Sequence, residues 1–231
     1  MNQPSDKLES WTGPRPGETA SEAALALAAA KLKLTLEPRQ SSQLLGHLTM
    51  LQRWNAVYNL TAVRDPSAML TQHLVDCLAV VPALRRHVEG NRINLLDVGS
   101  GGGLPGVVLA VMEPQWSVTC VDAVSKKAVF VRQVAGELGL NNLKSVHGRV
   151  EEMVQETGFD VIASRAFAAL AAFVGTTRHL LSPGGVWLAM KGRPPEEEVR
   201  ELPTYAGVFH VELIRVPELN AQRCLVWMRP H

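Results

Sequence analysis

LLDVGSGGGLPGVVLA, residues Leu95–Ala110, is the stretch on which the reading of this chain turns. A short apolar run, Ile93–Val98, meets four glycines in five positions (Gly99, Gly101, Gly102, Gly103), and a helical segment opens near Pro105. Proline suits a first helical position, because the N–H it lacks is one the helix leaves unpaired anyway. Glycines let the backbone turn sharply and approach a ligand more closely than a side chain would permit. A plain strand-to-helix connection seldom needs so many, so the segment reads as a nucleotide-cofactor loop.

The rhythm of that stretch continues downstream. SVTCVD (Ser117–Asp122), LKSVH (Leu143–His147), FDVIAS (Phe159–Ser164) and GGVWLAMKG (Gly184–Gly192) are short apolar runs, most of them separated by helical segments. Strands alternating with helices predict βαβ units and a mostly parallel sheet covered on both faces. The end differs: Val208–Val216 and Cys224–Arg229 are strand-like and joined by the short turn PELNAQ, which predicts an antiparallel hairpin at one sheet edge. The expected fold class is α/β and Rossmann-like, with an N-terminal helical extension.

Upstream of the loop the pattern is helical from about Thr19 to Leu84. Leu44, Leu48, Leu51 and Trp54 form an apolar stripe at three- and four-residue spacing. Asp65-Pro66 reads as an N-cap with proline behind it, opening a helix through Met69, Leu70, His73, Leu74 and Cys77. Residues 1–18, polar and rich in Pro and Gly, are expected to be a disordered tail. The division expected is therefore tail 1–18, helical extension 19–90 and cofactor-binding domain 91–231.

The 231 residues, 46% hydrophobic and 19% charged, suffice for one such domain with an appendage. A net charge of +1 carries no nucleic-acid signal, so any polyanion contact must come from a local basic patch. Cys77, Cys120 and Cys224 lie far apart in apolar stretches, which suits buried thiols in a reducing cytoplasm and neither disulfides nor a metal site. The start has no secretory h-region, and the apolar run Ala23–Ala30 is too short to span a bilayer. A soluble, cytoplasmic protein without membrane or metal is expected.

Which cofactor the loop holds is decided by its neighbours. Gly101–Gly106 formally matches the dinucleotide pattern G-x-G-x-x-G, with Asp122 at a distance suited to a ribose. That match starts two residues late, and Asp97 ends the strand where a pyrophosphate would want no negative charge. S-adenosylmethionine is cationic at its sulfonium and its amino group, so Asp97 favours it. A phosphate-binding Walker loop is excluded, since no Gly-Lys-Ser/Thr follows.

Asp122, at the end of the second strand, can accept from both ribose hydroxyls. An N-cap role is the plainer alternative, for which Ser125 is the better candidate. Glu151 can accept from an adenine amino group and Val150 can pack on the ring, although acids are also ordinary in a first helical turn. After the fourth strand stands Arg165 and at the end of the fifth Lys191, cations suited to an electron-rich or polyanionic substrate; ion-paired surface bases are the alternative. No Asn/Asp-Pro-Pro-aromatic or Pro-Cys motif is present, and no residue is assignable as a general base.

The segments Trp54–Thr61 (WNAVYNLT), Arg64-Asp65-Pro66, His73–Asp76, Asp97–Gly106, Arg149–Glu152, Ser164–Phe167 and Lys191-Gly192, in that order, resemble the bacterial ribosomal RNA small-subunit methyltransferase G family, also called glucose-inhibited division protein B. The resemblance runs from about Leu44 to the C-terminus. It implies a cytoplasmic enzyme, expected to be monomeric, that methylates N7 of guanine 527 in 16S rRNA, free or in a small-subunit particle. It further implies that Gly99 and Leu104 contact S-adenosylmethionine through the loop, that Val150 and Glu151 flank its adenine and that Arg165 lies at the junction of cofactor and substrate; Gly101 and Asp122 join them on the reading of the loop and strand end above. Arg149, Lys191 and Arg223 match basic positions used for RNA. One departure is Gly102, where the family often has proline. Two other readings stay open: an NAD-dependent oxidoreductase, and a non-catalytic ribosome-binding module on the same fold.

Overall fold

The computed structural model describes residues 20–88, 90–165, 167 and 169–231; the tail expected at 1–18 lies outside them. Among the described residues seven strands form one sheet: β1 (Asn94–Val98), β2 (Ser117–Asp122), β3 (Leu143–His147), β4 (Phe159–Ser164), β5 (Leu181–Lys191), β6 (Ala206–Ile214) and β7 (Arg223–Pro230). Their order is β3-β2-β1-β4-β5-β7-β6. The first five are parallel, and β7 runs antiparallel to both β5 and β6. The hairpin thus sits at the sheet edge, with β6 outermost and β7 inserted beside β5.

Both faces are buried, so the central strands show continuous burial in place of alternation. Leu95, Cys120, Val161 and Leu188 point into one core, with α6 (Gly106–Met112) and α7 (Ser125–Glu137). Leu96, Val121, Ile162 and Trp187 point into the other, against α8 (Leu170–Thr177).

The N-terminal helices belong to the first core. These are α1 (Ala20–Lys31), α2 (Pro38–Tyr58) and a continuous rod made of α3 (Pro66–Met69), a π-helical turn (Leu70–Val75) and α4 (Asp76–Leu78), followed by α5 (Val81–His87). Leu44, Leu48 and Leu51 of the expected stripe are buried there beside Val107, Val108 and Phe130. Asp65 caps the rod through the Ala68 amide, 2.8 Å from Oδ1. The stretch Ser67–His87 is long and apolar enough to cross a membrane, but 72% of its most apolar window is buried inside the protein, as in a core helix.

Two helix starts differ from expectation. α6 begins at Gly106, one residue after Pro105. Ser125 is the first residue of α7 and makes no cap hydrogen bond; Asp122 Oδ1 instead accepts from the Val124 amide at 2.8 Å. The aspartate's longer reach places its carboxylate over that turn, a position the sequence reading had offered to Ser125. All three cysteines are free and buried, as expected.

Candidate active site

In an open parallel sheet, ligands bind beyond the carboxyl ends of the strands where the strand order reverses. Here that point lies between β1 and β4, and the glycine loop leaves β1 beside it. Gly99, Gly101 and Gly103 have φ of +67°, +56° and +78°, values that L side chains rarely adopt. The Gly99 and Ser100 amides both donate to the Val121 carbonyl, at 2.9 and 3.2 Å, which ties the turn to β2. Asp122 Oδ2 accepts from the Gly101 amide at 3.0 Å.

Asp97 differs from the sequence reading. It is fully buried, and Oδ2 accepts from the Gly106 amide at 2.8 Å. Its carboxylate therefore docks the start of α6 onto β1 and does not line the crevice. Burial raises its pKa to about 7, only partly opposed by the Gly106 amide and the charge of Arg165. A Cβ on Gly106 would lie 2.3 Å from Cys120 Sγ and 2.8 Å from Asp97 Oδ2, so this glycine is required by helix–strand contact.

A cavity of about 180 Å³ opens over the ends of β1, β2 and β3. Gly99, Asp122, Arg149, Val150 and Glu151 line it, together with Phe167, which packs on Phe173 with ring centroids 5.4 Å apart. A Cβ at Gly99 would meet nothing within 4 Å, so the bare backbone faces open space. Of the other residues expected to touch the cofactor, Gly101 acts through Asp122. Leu104 is buried in the core, with its amide donating to the Ser100 carbonyl at 2.9 Å. Arg165 lies on a second cavity. Phe167 carries no signal of this place in the sequence beyond the Ser164–Phe167 segment.

The second cavity, about 330 Å³, lies over the ends of β4, β5 and β7 and is lined by Arg165, Lys191 and Arg223 with Gln72, His73 and Asp76. Asp76 is 2% exposed and sits between two guanidinium groups. Its Oδ1 accepts from Arg223 Nε at 2.8 Å, and its Oδ2 lies 3.5 Å from Arg165 Nη1, which also donates to the Gln72 carbonyl at 3.1 Å. Lys191 Nζ donates to both Glu198 oxygens, at 2.8 and 3.0 Å. His73 Nε2 lies 2.8 Å from Thr61 Oγ1; burial and Arg165 lower its pKa to about 4, so the ring is neutral. Lys191 and Arg223, expected at RNA, are thus gathered with Arg165, whereas Arg149 stands at the first cavity.

Gln72, His73 and Asp76 come from the helical rod, so the N-terminal extension forms one wall of the site. The spacing of the sequence carried no signal for this beyond the family-like His73–Asp76 segment. Elsewhere, His87, His210 and Glu212 cluster with potential metal-ligating atoms within 4.8 Å of one another, but Glu212 already accepts from Arg86 Nη2 at 2.7 Å and Trp227 Nε1 at 3.3 Å.

The comparisons agree with this geometry. Residues 40–226 match a family model described as rRNA small subunit methyltransferase G. The ribosomal RNA small subunit methyltransferase G of Acidovorax ebreus is 55% identical over 220 residues, which cover 92% of this chain and 96% of the relative. That of Methylibium petroleiphilum is 58% identical over 197 residues, 85% and 89% of the two chains. A solved SAM-dependent methyltransferase from Aquifex aeolicus is similar with a TM-score of 0.54 and 17% identity, over 74% of this chain and 96% of that one. At that identity the likeness speaks to the fold alone, and the fold is the Rossmann-like one expected. The NAD-dependent reading, which rested on a displaced glycine pattern, is set aside by the family match. Strand-end geometry, glycine loop and sequence relationship converge: this chain belongs to the rRNA small subunit methyltransferase G family.

Proposed function

We propose that this chain transfers a methyl group from S-adenosylmethionine to N7 of guanine 527 in 16S rRNA. The observation that carries the reading is the pair of cavities along one strand edge, one walled by bare glycine backbone and carboxylates, the other by cations. The first fits the cofactor by its chemistry. Gly99 offers backbone with open space before it, Asp122 keeps free lone pairs for ribose hydroxyls, and Val150, Glu151 and Phe167 provide an apolar and acidic wall for a purine. When bound, S-adenosylmethionine supplies an electrophilic methyl group.

Guanine N7 carries an in-plane lone pair and no proton, so attack requires no general base. The residues of the second cavity agree with this, since His73 Nε2 is engaged with Thr61 Oγ1 and Asp76 is committed to two arginines. The task left to the protein is alignment, which can supply roughly 7–11 kcal/mol of barrier reduction at best. Positive charge builds on the purine during attack, so Arg165 acts by orienting the base. Arginine commonly binds guanine O6 and N7 together; here it would contact O6 and leave N7 to react. Arg149, Lys191 and Arg223 would hold RNA phosphates, and an unpaired loop guanine is the natural target.

In this reading residues 91–231 act as the methyltransferase domain and 19–90 as a helical extension that completes its acceptor wall. The protein works in the cytoplasm as a monomer, on 16S rRNA or a small-subunit particle. Mass mapping of rRNA from cells with and without the protein tests the reading. Loss of one methyl from one guanine, restored by the gene, is expected; an unchanged methylation map would overturn it.

A further inference from the structure

We infer that His47, on α2, is a positioning residue that holds the glycine loop in its cofactor-binding shape from outside the loop. His47 is fully buried, and its Nε2 lies 2.8 Å from the Gly102 carbonyl oxygen. A carbonyl only accepts, so Nε2 carries the proton and donates. Nδ1 is buried without a partner among the described residues, and burial lowers the pKa to about 4, so the imidazole stays neutral with one fixed tautomer. The ring is backed by Phe130 of α7, with centroids 6.1 Å apart. One turn along the same face of α2, Leu51 Cδ1 lies 2.8 Å from where a Cβ on Gly102 would stand. One helix face therefore grips the middle of the loop by a hydrogen bond and by close contact.

The loop needs such a grip. Three of its glycines have positive φ, and glycine retains more alternative backbone states than any other residue. Gly99, Ser100 and Gly101 are fastened to β2 through Val121 and Asp122. The restriction on Gly102 comes from α2, through His47 and Leu51. A loop that spends less time in its binding shape binds its ligand more weakly in proportion.

This inference rests on the reading that the loop binds S-adenosylmethionine. Its test is titration calorimetry with S-adenosylhomocysteine on the wild type, His47→Phe and His47→Gln, with thermal unfolding alongside. Phenylalanine fills the site without a donor, and glutamine restores an N–H near Nε2. His47→Phe should weaken binding by about tenfold and His47→Gln by no more than about threefold, as a smaller population of the binding shape requires. Equal affinity of wild type and His47→Phe would overturn the inference alone, as would a folded glutamine variant no better than phenylalanine. A wild type that does not bind would overturn the cofactor reading and this inference together. Should His47→Phe fail to fold, ¹⁵N imidazole spectra of the wild type decide: the Nε2–H tautomer, perturbed on adding S-adenosylhomocysteine, is required, and an Nδ1–H tautomer overturns the inference.

Discussion

Arg223 and Asp76, 147 positions apart in the chain, meet at 2.8 Å, joining the start of the last strand to the helical rod that precedes the first. Asp76 also faces Arg165, so one buried carboxylate sets the position of two cations at the second cavity. Asp76→Ala would leave both guanidinium groups without their counter-charge. We expect a loss of about 2–3 kcal/mol in urea unfolding, less than for a wholly buried pair because both arginines reach solvent. Turnover should fall further than stability explains, measured as methyl incorporation into rRNA at a temperature where the variant is folded.

Arg165→Ala tests the acceptor side by itself. Methyl transfer should fall by about tenfold or more, the range for one lost orienting contact of 1–3 kcal/mol, while S-adenosylhomocysteine affinity changes little. Wild-type turnover in this variant would remove Arg165 from the site.

Asp122 is expected to act on the donor side. Its carboxylate accepts from the Gly101 and Val124 amides and is placed to accept from a ribose. Asp122→Ala should weaken S-adenosylhomocysteine binding by about 1–3 kcal/mol, the worth of a charged hydrogen-bonding group. Calorimetry reads this directly, and unchanged affinity would refute the role.

Stability should vary with pH in opposing ways. His47 and His73, lowered from 6.5 to about 4, are neutral when folded. Between those values the unfolded chain binds more protons, so their contribution is present above pH 6.5 and is lost as pH falls toward 4. Asp97 runs the other way: raised from 3.8 to about 7, its contribution is present below pH 3.8 and is lost as pH rises through 7. Chemical denaturation across pH 4–6.5 should show a steeper acid loss in Asp97→Asn and a shallower one in His47→Gln, each by about one proton. Identical slopes in all three proteins would contradict the burial of these groups.

Gly106, packed between α6 and β1, and Gly148, at the first cavity, should separate packing from space. Gly106→Ala forces a methyl group onto Cys120 and Asp97 and should cost about 1–3 kcal/mol. Gly148→Ala meets nothing within 4 Å and should unfold close to the wild-type midpoint.

The strand ends were legible because a buried parallel sheet needs unbroken apolar runs, and five of these lie in the sequence between Ile93 and Gly192. The places of Gly99 and Asp122 at the first cavity were legible for a related reason, since a glycine cluster and a carboxylate stand where two such runs stop. The burial of Leu104 was not legible, because loop membership in sequence does not say which way a side chain turns; here it turns into the core. Asp97 was misread likewise, as its charge was visible and its burial was not.

By itself, then, the sequence determined the periodic and the local: a mostly parallel α/β sheet, a glycine loop that turns sharply, a C-terminal hairpin, and a family pattern strong enough to name the chemistry. Those features arise from the backbone and its nearest neighbours, which sequence spacing records. The tertiary structure decided what depends on long-range approach. It set the rod carrying His73 and Asp76 against Arg165 and Arg223, and it laid α2 across Gly102. Such contacts come from the packing of whole elements into one shared core. The glycine loop marks where the cofactor would lie, and the helices before it determine how firmly that place is held.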